Sequence, residues 1–363
     1  MKILFLLTQL ESGGAQTRVA QSVELLRSQG EDVDLAFFYE KRACFDEVQK
    51  LILAKRRGGG AMNILGGILA LARLVKRNNY DVVVTNTAPA NIIGNTIGWL
   101  LGLRGRVAYQ TQPPARLSTA YRIADLLVGT TGIYKINIVN SEWTRGCFDN
   151  HPRRYREKLH LLYDGIVPPP VPDTKMVARR ALGIPEDKRL ILNVGRLSAQ
   201  KDQRTLIEAM SAVDGTLYIA GDGELKQELA TLAAECAPGK VVFLGELPRD
   251  DLGMYLAAAD VFAFSSKWET FGLALVEAAS YGLPMVVTDL PVSREVLAVN
   301  GQGDERSSCT FVVPGDVEAF RNALNTALND SALGKASTPH LCQTFTIEYH
   351  TAELLRLCRL AAA

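Results

Sequence analysis

The chain has 363 residues, 47% of them hydrophobic and 22% charged, with a net charge of +1, which excludes a disordered or collagen-like chain and suits two domains better than one core. That small net charge hides a division. Residues 1–165 carry 22 basic and 14 acidic side chains, a net +8, and residues 166–363 carry 18 and 25, a net −7. Such asymmetry predicts that the first half meets an anionic surface or ligand.

In chain order, Lys2–Leu7 reads as a buried strand, followed by a turn at Ser12-Gly13-Gly14. Ala15–Gln29 then places Val19, Val23, Leu25 and Leu26 at roughly helical spacing, and Gly30 ends the helix. Val33–Phe38, Asp81–Thr85, Arg106–Tyr109 and Ile136–Val139 are further apolar runs. Uniformly apolar strands alternating with helices predict a parallel sheet covered on both faces. The run Ile92–Leu103 is interrupted by Asn95 and glycines and is shorter than the ~20 residues a membrane crossing needs. The N-terminus lacks the pattern of a signal peptide, so a cytoplasmic chain, able to rest on the inner face of a membrane, is expected.

The stretch Val167-Pro168-Pro169-Pro170-Val171-Pro172 cannot continue a helix or central strand, and the pattern restarts after it. Leu190–Val194, Leu217–Ala220, Val241–Leu244, Val261–Phe264 and Met285–Thr288 read as strands. Gln203–Ala212, Glu224–Cys236, Leu252–Ala259, Phe271–Tyr281 and Val317–Asn329 read as helices. The expected organisation is a first Rossmann-like domain over 1–167, a second over 173–345, and a last helix in 346–363 that could pack on either. The six cysteines and four histidines show no metal-ligand spacing, and no metal or organic cofactor is expected.

Gly13-Gly14 lies between strand and helix, where backbone can approach an anion, although an ordinary tight turn would look the same. Arg196 and Lys201 follow the strand Leu190–Val194, a position suited to neutralising a diphosphate; two solvated cations would also fit. Gly221-Asp222-Gly223 reads as a structural turn. The most informative stretch is Trp268-Glu269-Thr270-Phe271-Gly272-Leu273-Ala274-Leu275-Val276-Glu277. Glu269 ends a loop just before a helix start, and Glu277 lies two turns into an otherwise apolar helix. A carboxylate there needs a partner, either ligand hydroxyls or a nearby arginine.

These motifs together resemble family 4 of the retaining glycosyltransferases, with the GT-B fold. Gly195-Arg196-Leu197 with Lys201-Asp202, Ile219 to Leu225, Phe243-Leu244-Gly245, Ala258 to Val261, Glu269 through Glu277, Gly282-Leu283-Pro284 and Val313 to Asp316 all match its second domain. Ser12-Gly13-Gly14-Ala15 matches the glycine turn of the first. The resemblance implies two doubly wound Rossmann-like domains facing across a donor-binding cleft. It implies that Arg196 and Lys201 hold a diphosphate and that Glu269 contacts the donor sugar. Glu277 would bind the ribose, and the amides of Phe271, Gly272 and Leu273 would meet sugar or phosphate. Leu247 would line the base pocket, and Gly13 and Gly14 would approach the diphosphate.

Three departures stand out. Tyr109-Gln110-Thr111-Gln112-Pro113-Pro114 has no histidine where many members place one near the sugar, leaving Gln110 or Gln112 as the hydrogen-bonding group on the acceptor side. Asp164-Gly165 stands where Asn-Gly is usual. The segment Asn300 to Cys309 is longer than the usual loop. The expected function is sugar transfer from a UDP- or GDP-linked donor to a glycan or lipid-linked acceptor, catalysed by Glu269, Arg196 and Lys201. An anionic membrane surface is a further expected partner and nucleic acid is not. A sugar-nucleotide epimerase and a non-catalytic sugar-nucleotide binder are the alternatives.

Overall fold

The structure, a computed structural model, describes residues 1–363 except 12, 43, 46, 55–59, 171, 173, 299–308 and 331–344. Ser12 of the glycine turn, the basic triplet Lys55-Arg56-Arg57 and the segment from Asn300 up to Cys309 therefore lie outside the described residues. The chain forms two compact units, Met1–Val167 with Phe345–Ala363, and Pro168–Thr344.

The first unit holds a parallel sheet in the order β3-β2-β1-β4-β5-β6-β7. The strands are β1 (Lys2–Leu10), β2 (Asp32–Glu40), β3 (Leu51–Ala54), β4 (Val82–Asn86), β5 (Gly105–Gln110), β6 (Ile136–Val139) and β7 (Leu159–Leu161). β1 has no outward polar face because both of its faces are covered. Ile3, Phe5 and Leu7 meet Val19 and Val23 of α1 (Gly14–Ser28). Leu4 and Leu6 meet Leu71 and Val75 of α2 (Gly60–Asn78), together with Ala90 and Ile97 of α3 (Ala88–Leu100). α4 (Thr119–Thr130) lies beside α3, and α5 (Glu142–Gly146) and α6 (Arg153–Arg156) are short connectors.

The second unit has a six-stranded parallel sheet in the order β10-β9-β8-β11-β12-β13. Its strands are β8 (Leu190–Val194), β9 (Thr216–Ala220), β10 (Val241–Gly245), β11 (Val261–Phe264), β12 (Met285–Thr288) and β13 (Cys309–Val312). The helices are α7 (Lys175–Ala181), α8 (Gln203–Ala209), α9 (Lys226–Cys236), α10 (Arg249–Ala258), α11 (Leu273–Ser280), α12 (Pro291–Ala298) and α13 (Val317–Asn329). Both units are thus Rossmann-like α/β domains.

The last helix, α14 (Ile347–Ala362), packs on the first unit, burying Leu354, Leu357 and Cys358 with α1 and the sheet. Its entry is fixed by backbone. The Ile166 amide donates to the Phe345 carbonyl at 2.8 Å and the Ile347 amide to the Ile166 carbonyl at 3.0 Å. Gly165 permits this approach, since a Cβ there would lie 2.5 Å from the Thr346 carbonyl oxygen.

A buried polar cluster completes the attachment. Arg18 of α1, 2% exposed, places Nε 2.8 Å from Asp164 Oδ1 and donates to Asn86 Oδ1 at 2.7 Å. Its Nη1 donates to His350 Nε2 on α14 at 3.2 Å, and the guanidinium stacks 4.0 Å from the centre of the Tyr109 ring. Because arginine can only donate, His350 Nε2 must accept, so the proton sits on Nδ1 and points at the Tyr163 carbonyl 2.7 Å away. Burial and the Arg18 charge push His350 down to about 4. The departure at Asp164 therefore has a partner: its charge faces the buried guanidinium.

The ordinary imidazole pKa of 6.5 lies above this folded value, so the histidine contributes stability above pH 6.5 that is lost as pH falls towards 4. The loss amounts to about 3 kcal/mol at most. Hydrogen exchange of the α14 amides, corrected for intrinsic rates, is expected to show protection falling across that window. In a His350→Gln chain that slope should vanish.

Candidate functional site

In each unit the strand order reverses beside the first strand, between β1 and β4 and between β8 and β11. Successive connections there run to opposite faces, so a crevice opens at the carboxyl ends of the two strands. In the second unit, β8 pairs with β11 only through Ile191 with Val261 and Leu192 with Phe262. Beyond that point Asn193 Nδ2 bridges to the Ala263 carbonyl at 2.8 Å.

Two loops leave the strands at this point. The loop after β8 carries Arg196 and Lys201, and the loop after β11 carries Glu269. Lys201 Nζ donates to Glu269 Oε1, which also accepts from the Ser266 hydroxyl at 2.8 Å. Gln200 Nε2 reaches the Trp268 carbonyl at 3.1 Å and Glu269 Oε2 at 3.4 Å. Glu269 is only 7% exposed, so its charge depends on these donors. The loops are also tied by backbone: the Lys267 amide donates to the Gln200 carbonyl at 2.8 Å, and the Ser265 hydroxyl to the Lys201 carbonyl at 2.7 Å. Thr288 of β12 holds the Ser266 carbonyl at 2.8 Å.

Arg196 is half-buried on the same loop, between Gly195 and Leu197. Gln203 Nε2 donates to its carbonyl at 3.0 Å, and the Leu197 amide donates to the Asp222 carbonyl at 3.0 Å. The expected structural role of Gly221-Asp222-Gly223 is evident here. A Cβ on Gly221 would lie 2.1 Å from the Gly195 carbonyl oxygen, and one on Gly223 2.3 Å from that of Leu197.

α11 begins at Leu273 rather than at Phe271. Gly272 caps it at φ 94°, a left-handed conformation that stops the helix from extending backwards. The Phe271 side chain is buried. Glu277 sits in the second turn, and the arginine that meets it is Arg249, at the start of α10, with Nη1 3.6 Å from Glu277 Oε1. Burial pushes Glu277 up to about 7, against the pull of Arg249. Leu247, two residues before Arg249, is half-buried.

In the first unit, Gly13 is extended at φ 172° and Gly14 opens α1 at the carboxyl end of β1. Gln112 is exposed. Gln110 does not serve the acceptor side, because its amide is consumed inside the unit. It is 2% exposed, and its Nε2 donates to Asp125 Oδ1 and Asn137 Oδ1, each at 3.1 Å. Asp125 of α4 also accepts from the Tyr134 hydroxyl at 2.9 Å and the Tyr155 hydroxyl at 2.6 Å, so this cluster ties α4 to the sheet.

Residues 175–339 match the family model described as glycosyl transferases group 1. The second unit is a group 1 glycosyl transferase domain. An uncharacterized glycosyltransferase, MJ1607 of Methanocaldococcus jannaschii, is 34% identical over 157 residues, 40% of each chain. LpsE of Rhizobium meliloti, a lipopolysaccharide core biosynthesis glycosyltransferase, is 33% identical over 159 residues, 43% of this chain and 44% of that one. The matches thus span about two-fifths of the length of those relatives. Among solved structures, Anabaena Alr3699/HepE in complex with UDP-glucose superposes with a TM-score of 0.82 at 21% identity, covering 98% of both chains. WaaG, a glycosyltransferase involved in lipopolysaccharide biosynthesis, gives 0.78 at 18%, covering 98% and 99%. These likenesses establish the GT-B fold class.

Within the group 1 domain, sequence reasoning missed Gln200, Ser266 and Arg249. Gln200 adjoins Lys201 and Ser266 lies three residues before Glu269, and neither carries a signal beyond that nearness. Arg249 is separated from Glu277 by most of α10, β11 and the following loop.

The elevated Glu277 pKa has a checkable consequence. The folded chain binds more protons than the unfolded one between the ordinary value of 4.5 and about 7, so this group's contribution to stability declines as pH rises through that window. Glu277→Gln has no such slope. Its melting temperature is expected to exceed that of the parent at pH 8 and to approach it at pH 4.5, as read by scanning calorimetry.

Proposed function

We propose that this chain is a retaining glycosyltransferase that takes a sugar from a UDP- or GDP-linked donor, without a metal, and passes it to a glycan or lipid-linked acceptor. The observation that carries this reading is the pairing of Lys201 with Glu269 beside Arg196 at the switch point of the group 1 domain. As the bond from the anomeric carbon to the diphosphate oxygen breaks, negative charge grows on the leaving phosphate. Cations fixed before the reaction stabilise it without reorganisation.

The donor redistributes the partners seen here. Sugar hydroxyls take the place of the Lys201 ammonium on Glu269, and Lys201 turns to the phosphate beside Arg196. Glu277, once ionised, accepts from the ribose hydroxyls, Leu247 borders the base, and the backbone from Phe271 to Leu273 meets sugar or phosphate. The acceptor oxygen attacks from the face that the diphosphate leaves, its proton passes to the departing phosphate oxygen, and the anomeric configuration is kept. The lipopolysaccharide and UDP-glucose in the names of the similar proteins favour a nucleotide-sugar donor and a glycan or lipid-linked acceptor.

A thermal-shift panel of UDP-, GDP- and ADP-sugars tests the donor site, since a ligand at a hundred times its Kd stabilises by about 2.7 kcal/mol. One class of donor is expected to raise the midpoint, and no response to any of them would sink the reading. Glu269→Gln should lower kcat about 10²–10³-fold with donor affinity largely kept. Glu277→Ala should chiefly weaken the donor. Proton NMR of the product settles stereochemistry: the anomer must match that of the donor, and inversion would overturn the retaining assignment.

A further inference from the structure

We propose that the outer face of α2, α3 and α4 docks on an anionic lipid bilayer, lying in the interface plane. This surface belongs to the first unit alone and is independent of the donor site. α2 has two opposed stripes. Gly67, Leu71 and Val75 face the sheet and are buried. On the opposite side, Leu65 and Leu69 are followed one and two turns later by Arg73, Lys76 and Arg77, all exposed. Leu65 is 53% exposed and Leu69 45%, so no described residue of this unit covers them.

The neighbouring helices continue the pattern. α3 ends in Trp99 and Leu100, 51% and 67% exposed, with Arg104 exposed just beyond. α4 exposes Ile123 and Leu127 beside Arg122. Single exposed apolar residues are ordinary, but α2, α3 and α4 are neighbours and each presents at least two of them to water.

The charge pattern selects the occupant. From Gly60 to Ser141 the sequence has eight basic residues and two acidic ones, Asp81 and Asp125. Asp81 accepts the Lys2 amide at 2.7 Å at the strand ends, and Asp125 is buried among two tyrosines and Gln110. The described outer face of these helices therefore carries cations and apolar side chains with no carboxylate of its own. Apolar insertion plus attraction to anionic headgroups is the chemistry of an interfacial surface. Among the described residues no helix is long and apolar enough to cross a membrane, so the contact is with the surface of the bilayer.

Co-sedimentation of the full chain with phosphatidylcholine vesicles, neutral or containing 30 mol% phosphatidylglycerol, tests this. Partitioning is expected to rise at least about 20-fold on the anionic vesicles and to fall in 0.5 M salt. Arg73→Gln and Lys76→Gln should each lower it about five-fold. Leu65→Ser with Leu69→Ser leaves the charge unchanged and should lower it about ten-fold or more. Trp99 emission should shift to the blue on anionic vesicles, and Trp99→Phe should lose that shift. Arg180→Gln with Lys226→Gln removes two positive charges from the second unit, one more than Arg73→Gln or Lys76→Gln alone, and should change nothing. Equal binding to neutral vesicles, an equal effect of the second-unit pair, or indifference to the leucine changes would overturn the proposal. So would a lipid-free dimer, seen by sedimentation velocity, that the leucine changes split into monomers. A normal donor-induced thermal shift in every variant separates failure here from failure of the donor reading.

Discussion

Where β8 meets β11, the connections on either side run to opposite faces of the sheet, so among the described residues no helix closes the carboxyl end of that strand pair. The groups that carry the proposed chemistry depend on this gap. Lys201 and Glu269 are 68 residues apart, yet they meet because one lies in the loop after β8 and the other in the loop after β11. Ladder pairing stops at Leu192 and Phe262, and from there the loops are held by side chains: Asn193 to Ala263, Gln200 to Trp268, Ser265 to Lys201 and Thr288 to Ser266. The glycines at 221 and 223 allow the turn after β9 to press against the Arg196 loop.

The two glutamates of this domain sit in opposite electrostatic settings. Glu269 has an ammonium, a hydroxyl and an amide around a nearly buried carboxylate. Glu277 has one guanidinium at 3.6 Å and burial that pushes it up to about 7. Breaking a well-made buried pair costs several kcal/mol, whereas an under-compensated carboxylate gains from new donors. Ligand hydroxyls are such donors. The contrast supports reading Glu277 as a binding group and Glu269 as a group whose partners must be exchanged during the reaction.

Much of this was legible in the sequence for a physical reason. The strands of a parallel sheet buried on both faces are continuous apolar runs, and a charge placed just after one can only lie at the sheet's carboxyl edge, which is why Arg196, Lys201 and Glu269 stood out. α3 carries little polar contrast in its apolar, glycine-containing stretch, whereas α2 and α4 set apolar against polar residues at helical spacing and were legible though unassigned. The start of α11 was misplaced by two residues because the conformation of Gly272, not side-chain periodicity, ends it. Gln110 was misjudged because its partners, Asp125, Asn137 and Tyr155, come from three later elements. A buried amide and an exposed one look alike in a one-dimensional string, and only the fold shows which is already satisfied.

The same consideration governs the carboxyl edge of the first unit. His350 donates from Nδ1 to a carbonyl and accepts at Nε2 from Arg18, so taking up a proton would set two cations face to face. Asp164 faces Arg18 and accepts from the Tyr109 hydroxyl at 2.7 Å and from Asn140 at 2.8 Å. Asp125 accepts from Gln110 and two tyrosines. Each of these titratable groups holds an element in place: His350 and Asp164 tie α1 and α14 to the strand ends, and Asp125 ties α4. Recruiting any of them as a base would cost the attachment it makes. In the proposed reaction, transfer of the acceptor's proton to the departing phosphate would carry no such penalty, because the phosphate would gain basicity as its bond to the sugar breaks and would leave with the proton.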